Sequence, residues 1–346
     1  MKKILVVCAA MTLLCSLVHA QEAEDTGRGA GLSIIPRLDA GILHTGGETL
    51  FSFGNTSLYT LFEGNISENW SFSVANHWIA SDWGCDNFQE GIVDPTVGLY
   101  SIYVPFYGDY GNNFLDWAYI TYAPGSWEFS LGKMPLIVGG WEFDEYDFDV
   151  NPMTTSLFWN TFTVYQYGAT VAWTTPDEAH TFTAQYAATQ FNTNMAFGVK
   201  WNGEIGPWST NYSVLMSKYA RPFASVDAIL PIISIGNRLT FEPFTVTVDF
   251  INRCGDPDYL TTDIFGHTLM GTVAYAPSES FDVSARAVWN RAYFDITDTY
   301  ENFCTYSLQA NWYPVENLRV QGCAGLMDGD IFATIGATYT LSFNLW

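Results

Sequence analysis

Phe244-Thr245-Val246-Thr247-Val248-Asp249-Phe250-Ile251-Asn252-Arg253, ten residues that follow the turn-forming pair Glu242-Pro243, is the stretch from which the fold is read. Phe244, Val246, Val248 and Phe250 share one face of a strand and Thr245, Thr247 and Asp249 the other, because strand side chains alternate with a period of two. The same split recurs in Trp127, Phe129 and Leu131 against Glu128, Ser130 and Gly132. About ten residues is what a tilted strand needs to cross a bilayer, so the apolar set reads as lipid-facing and the polar set as water-facing. A soluble β-sandwich also alternates, but its strands are shorter, at about five or six residues, and its outside is the polar face.

Outward from this strand the chain is punctuated in two ways. Tight breaks occur at 68–69, 124–126, 176–179, 206–207, 242–243, 277–280 and 314–317, each flanked by about ten residues of alternation. Long polar or aromatic connections occupy 80–113, 136–164, 220–231, 254–266 and 292–302. Short turns on one side and long loops on the other predict an all-β, transmembrane antiparallel β-barrel of about 16 strands, with short periplasmic turns and long extracellular loops. The first strand lies within 32–45 and the last spans 332–345, so both termini fall on the periplasmic side. Trp70, Trp78, Trp117, Trp127, Trp173, Trp201, Trp208, Trp289 and Trp312 fall near strand ends, as aromatic girdles require.

Composition agrees. Aromatic residues make up 17% of the chain and charged residues only 14%, yet beyond the N-terminus no apolar run approaches the roughly 18 to 20 residues of a membrane helix. Lys2 and Lys3 precede an apolar run, and Val18-His19-Ala20 before Gln21 fits a signal-peptidase site, so 1–20 is predicted to be a signal peptide. Residues 21–31 then form an N-terminal segment and 32–346 the barrel. The formal net charge of −23 excludes a nucleic-acid partner, which needs clustered basic residues. Cys85, Cys254, Cys304 and Cys323 show no metal-binding spacing, and a single disulfide among the loop cysteines Cys85, Cys254 and Cys304 is left open. His44, His77, His180 and His267 accompany no hydrolase motif. A hydrolase would need His77 or His267 to meet a serine and an acid across the wall, so an enzyme is not expected.

The connection 136–164, LIVGGWEFDEYDFDVNPMTTSLFWNTFTV, is too acidic for a core strand and too aromatic for a disordered tail. It is read as folding into the mouth of the barrel and setting its bore, the alternative being a solvated acidic surface loop. Glu142, Asp144, Glu145, Asp147 and Asp149 are the candidate constriction acids, which would concentrate cations in a narrow aqueous path. By alternation Lys200, Arg238, Arg286 and Arg319 point inward and form a candidate basic wall, with Lys133 and Arg253 nearer the rim. No cofactor is expected; Ca²⁺ on the acidic run is an alternative, and a stacking track for sugar rings over Phe158 and Trp159 is another.

Leu131-Gly132-Lys133-Met134-Pro135, followed by Gly139, Gly140 and Glu142, resembles the "GK-x-P, then G-x-E" passage of β-barrel porins related to the phosphate-selective and OmpL-like families. The alternating Tyr339, Leu341, Phe343 and Leu345 resemble the C-terminal signal read by the barrel-assembly machinery. By organisation the whole mature chain resembles a Gram-negative outer-membrane porin. The resemblance implies an inward-folded third loop at 136–164, passive diffusion of small hydrophilic solutes, contact with outer-membrane lipid and lipopolysaccharide, and a homotrimer. Two departures stand out: the chain ends in Trp346 instead of Phe, and it has too few basic residues for the lysine- and arginine-rich pore of the phosphate-selective branch. A water-filled channel with mild cation preference is therefore expected; a saccharide-preferring channel and a plugged barrel acting as an adhesin are the alternatives.

Overall fold

The computed structural model describes residues 28–53, 56–79, 115–144, 151–156, 158–159, 165–188, 195–220, 227–253, 265–294 and 299–345. The expected signal peptide, Cys85, Cys254, Glu145, Asp147, Asp149 and Trp346 lie outside them. The first half of the wall comprises β1 (Gly29–Thr45), β2 (Glu48–Ser52 continuing as Ser57–Ser67), β3 (Trp70–Ile79), β4 (Leu115–Tyr122), β5 (Trp127–Pro135), β6 (Tyr165–Thr174), β7 (His180–Ala188) and β8 (Met195–Ile205). The second half comprises β9 (Trp208–Ala220), β10 (Asp227–Phe241), β11 (Phe244–Arg253), β12 (Phe265–Ser278), β13 (Phe281–Phe294), β14 (Thr299–Val315), β15 (Leu318–Met327) and β16 (Asp330–Tyr339 continuing as Leu341–Asn344).

Each strand pairs antiparallel with the next, and β1 closes the sheet. On one edge Thr45 pairs with Glu48 and Gly31 with Glu63 of β2; on the other Arg37 pairs with Thr338 and Gly31 with Asn344 of β16. The two halves of β2, like the two halves of β16, continue one line of pairing along β1, so the closed barrel has sixteen strands. Closure leaves no edge carrying unpaired backbone groups, which is the condition for strands to sit in hydrocarbon.

The facing follows the alternation. Leu38, Leu131, Leu308 and Ile335 point outward and are 63 to 69% exposed, whereas Thr247, Asp249 and Ser130 are buried on the inner face. Near the turns at 125–126, 176–179 and 206–207, the outward rings of Trp127, Trp173, Phe182, Trp201 and Tyr212 meet one after another across five strands. That row forms one of the aromatic belts that border the apolar band.

Three boundaries differ from the sequence reading. The barrel begins at Gly29, not at residue 32, because Gly29 to Ser33 find partners on β2. The connections expected at 220–231 and 292–302 are shorter, since β9 and β10 pair out to Ala220 and Asp227, and β13 and β14 to Phe294 and Thr299. Polar residues and Pro231 read as loop, but a neighbouring strand in register extends the ladder through them. Cys304 lies in β14, not in a loop, and both it and Cys323 of β15 are free thiols.

Candidate functional site

Asn211, Gly236 and Asp249 stand side by side on the inner faces of β9, β10 and β11. Gly236 leaves a notch between the other two, and the Cα of Gly140 fills it: a Cβ on Gly236 would come within 2.8 Å of that Cα and 2.7 Å of Asp249 Oδ1. Gly140 has a φ of 91°, a conformation that glycine adopts without a Cβ penalty. The Gly139 amide donates to Ser213 Oγ at 2.6 Å and the Gly140 amide to Asn211 O at 3.1 Å. Asn211 Nδ2 returns a bond to Gly140 O at 3.1 Å. The Trp141 and Glu142 amides both donate to Asp249 Oδ2, at 2.9 and 3.2 Å. Four consecutive residues thus place their amides on the wall, which accounts physically for the Gly-Gly-Trp-Glu spelling.

Apolar contacts extend this joint. Leu136, Val138 and Phe158 of the connection bury against the inward Ala187, Ala196, Leu215, Ile232 and Ile251 of β7 to β11. Further along the connection, Asn151 Nδ2 donates to Thr334 Oγ1 of β16 at 2.9 Å. There Met153 lies against Cys323, Met327 and Phe332, with Leu43 of β1 beside them. The described part of 136–159 therefore lies inside the barrel along an arc of wall running from β7 to β16 and β1.

Glu142, named above as a constriction acid, is only 1% exposed. Its carboxyl accepts the Ser156 amide at 2.6 Å and the Ser156 hydroxyl at 2.5 Å, tying the two limbs of the connection together. Burial raises its pKa from 4.5 to about 7, with a smaller push from Asp249, while the Ser156 bonds and the Arg286 charge pull the other way. Glu142 is thus a buried fastener within the connection and not a side chain open to the lumen. Asp144 reaches out, taking Lys200 Nζ at 2.7 Å and Asn211 Nδ2 at 2.5 Å.

The basic residues Lys200, Arg238, Arg286 and Arg319 point inward, and two of them meet the connection directly. Lys200 is bound to Asp144, and the Arg238 guanidinium sits 4.0 Å over the Trp141 ring, so both stand on the side where the connection docks. Arg286 bonds Thr272 through Nε at 3.2 Å and lies close enough to Glu142 and Asp249 to act on both. Arg319 reaches Thr338 at 3.5 Å. Lys133, expected at the rim, is buried at 2% exposure and donates to Leu115 O at 2.6 Å; the side chain of Arg253 is outside the described set. Alternation gives the face of a residue but not its angular position on the barrel, so the sequence could turn these residues inward without placing them around the wall.

Sequence reasoning passed over Asp249, Ser156 and the Arg37–Asp39 pair, which meet at 2.6 Å on β1. Asp249 had a signal, being an acid alone on a threonine-rich inward face; Ser156 had none. His77 meets the carboxylate of Asp116, and His267 stacks on Phe250. Among the described residues no group of three or more His, Cys, Asp or Glu side chains is placed to hold a metal ion.

No protein-family model matches the chain and no curated protein does either. Solved structures do. OmpF of Salmonella typhi, in complex with daunomycin, superposes with a TM-score of 0.65 at 13% identity, covering 93% of this chain and 100% of that one. The outer-membrane channel DcaP of Acinetobacter baumannii gives 0.61 at 13% identity over 93% and 100%. An anion-selective porin from Comamonas acidovorans gives 0.60 at 12% identity over 91% and 100%. At such identities the likeness is one of fold, and the chain has the sixteen-stranded barrel fold of the Gram-negative outer-membrane porins.

Proposed function

We propose that this protein is an outer-membrane porin through which small hydrophilic solutes pass by diffusion, with a mild preference for cations, and that it is not an enzyme. The observation that carries the reading is a polar-lined closed barrel whose long connection 136–159 is fastened to the inner wall. Its described contacts fall on the arc from β7 to β16 and β1, which leaves the inner faces of β2 to β6 for the solute path. Glu63 and Glu128 lie on that arc, Asp116 there is buried and paired with His77, and Arg37 at its border is already paired with Asp39. Acids lining a narrow aqueous path raise local cation concentration and repel anions. Glu145, Asp147 and Asp149 are proposed to add to this charge.

Phe143 and Trp159, half-buried with ring centroids 5.0 Å apart, favour a second reading in which sugar rings stack at the constriction. A homotrimer is proposed on the precedent of OmpT of Vibrio cholerae, solved in a trimer form. The test is single-channel current in a planar bilayer, with the zero-current potential across a salt gradient. It compares wild type with Glu63→Gln/Glu128→Gln and with Asp144→Asn/Glu145→Gln/Asp147→Asn/Asp149→Asn. Open-channel current with a cation preference that falls in either variant is expected. Folded protein that passes no current would overturn the channel, and saturable block by a sugar would favour the second reading.

A further inference from the structure

Arg291 departs from the inward-facing strand arginines and lysine already described. Arg37, Lys200, Arg238, Arg286 and Arg319 turn inward, but Arg291 follows Phe281, Val283, Ala285, Ala287 and Trp289 on the outward face of β13 and is exposed. Ten residues separate Phe281 from Arg291, about 25 Å along the barrel axis for a strand rising ~3.4 Å per residue at a tilt of ~40°. That is the height of the apolar band, so Arg291 stands at its upper border, on the side of the long loops, one step above Trp289. An outward arginine costs ~2–4 kcal/mol at the midplane and close to nothing at the interface, which fits this depth.

The row it belongs to is polar across four strands. Asn252 of β11 pairs with His267 of β12, His267 with Arg291, and Arg291 with Asn302 of β14. The row immediately below is Phe250, Leu269, Trp289 and Cys304. Arg291 is held in place by the ring of Tyr300, whose centroid is 4.8 Å from the guanidinium carbon. A guanidinium has five N–H donors in a planar fork, so one that lies over an aromatic ring can still offer donors to a tetrahedral oxyanion. With 36 acidic against 13 basic residues, the chain as a whole repels an anionic leaflet, so attraction at this height has to be local.

We propose that Arg291, with His267 and Asn302 beside it, is a binding site on the outer wall for the phosphate of an anionic lipid of the outer leaflet. The proposal rests on the membrane-spanning fold and is independent of whether the barrel conducts. The test uses the full-length barrel in detergent and native mass spectrometry of lipid adducts, with bisphosphorylated lipid A, its dephosphorylated form and inorganic phosphate as probes. Wild type is expected to retain the phosphorylated lipid at least about tenfold better than the dephosphorylated one. Arg291→Gln should lose that advantage and Arg291→Lys should keep part of it, both with unchanged heat-modifiable mobility on gels. Equal retention of the two lipids by wild type, or equal retention by wild type and Arg291→Gln, would overturn the site. Displacement of the lipid by equimolar inorganic phosphate would overturn the assignment to a lipid. Since the comparison of the two lipids needs no variant, it decides the matter even if Arg291→Gln misfolds.

Discussion

The notch at Gly236 offers the sharpest test of how the inner connection is held. In Gly236→Ala the new Cβ would sit 2.7 Å from Asp249 Oδ1, 2.8 Å from the Gly140 Cα and 3.2 Å from Asn211 O. Asn211 and Asp249 are fixed by strand pairing on either side, so Gly140 has to move. Its displacement stretches the two amide bonds to the Asp249 carboxylate and the reciprocal pair with Asn211. Bonds to a charged acceptor contribute ~1.5–3 kcal/mol each and neutral ones ~1, while one extra methyl in a tight site costs ~1–3 kcal/mol. Partial relaxation places the loss of docking at ~2–4 kcal/mol, with the barrel ladder intact. Hydrogen exchange read by mass spectrometry on the peptide 137–144, in lipid nanodiscs, should then run ~30-fold faster or more, since each ~1.4 kcal/mol of easier opening is a factor of ten. Gly271→Ala, where a Cβ meets nothing within 4 Å, is the control and should leave exchange unchanged. Equal exchange in Gly236→Ala and wild type would refute the notch as the docking determinant.

Docking should also depend on pH through Glu142. Its carboxyl is raised to about 7 when docked, against an ordinary 4.5, so the docked state binds the extra proton between those values. Stability of docking is therefore full below about 4.5 and declines as pH rises to about 7, by ~3 kcal/mol in all. Exchange of 137–144, corrected for its intrinsic pH dependence, should show this decline, and Glu142→Gln should flatten it; a slope that survives the substitution would assign it to another group. Met153→Ala should loosen the far end, at a cost of ~2–4 kcal/mol from the cavity left over Phe332. Its signature is faster exchange at 151–156 while 137–144 stays protected, and uniform loosening would show that the two ends are not separate anchors. Arg238→Ala removes the cation–π contact with Trp141 and should cost ~1–2 kcal/mol of docking, read as faster exchange of 137–144; no change would show that the contact is incidental.

The wall was legible in the sequence because everything that sets it is local. Phe244 to Asp249 carries its own alternation, Glu242-Pro243 its own turn, and the inner and outer faces follow from residues two apart. The connection was legible as a composition but not as a placement. Its anchor depends on Gly140 meeting Gly236, ninety-six positions away, and on Asp249 accepting two amides from a segment more than a hundred residues upstream. No period in either segment announces the meeting, because it is fixed by strand number and stagger around a closed wall. The same geometry explains why alternation could turn Lys200 and Arg238 inward but could not show that both stand beside the docked connection.

The way the connection is held bears on its charge. An acidic segment could be anchored by salt bridges, but each basic residue used would cancel one of the acids proposed to draw cations into the lumen, and the chain has only 13 basic residues. The structure anchors it instead through backbone amides donated to a carboxylate of the wall, through a buried Glu142 that closes on Ser156, and through apolar contacts. Among the described contacts of the acidic run, the salt bridge from Asp144 to Lys200 is the one such neutralisation. An amide carries no net charge, so anchoring by amides leaves the field of the remaining carboxylates intact. On this reasoning, replacing Asp249 with Asn should weaken the docking far more than it alters the zero-current potential, whereas substituting the acids on the β2 to β6 face should do the reverse.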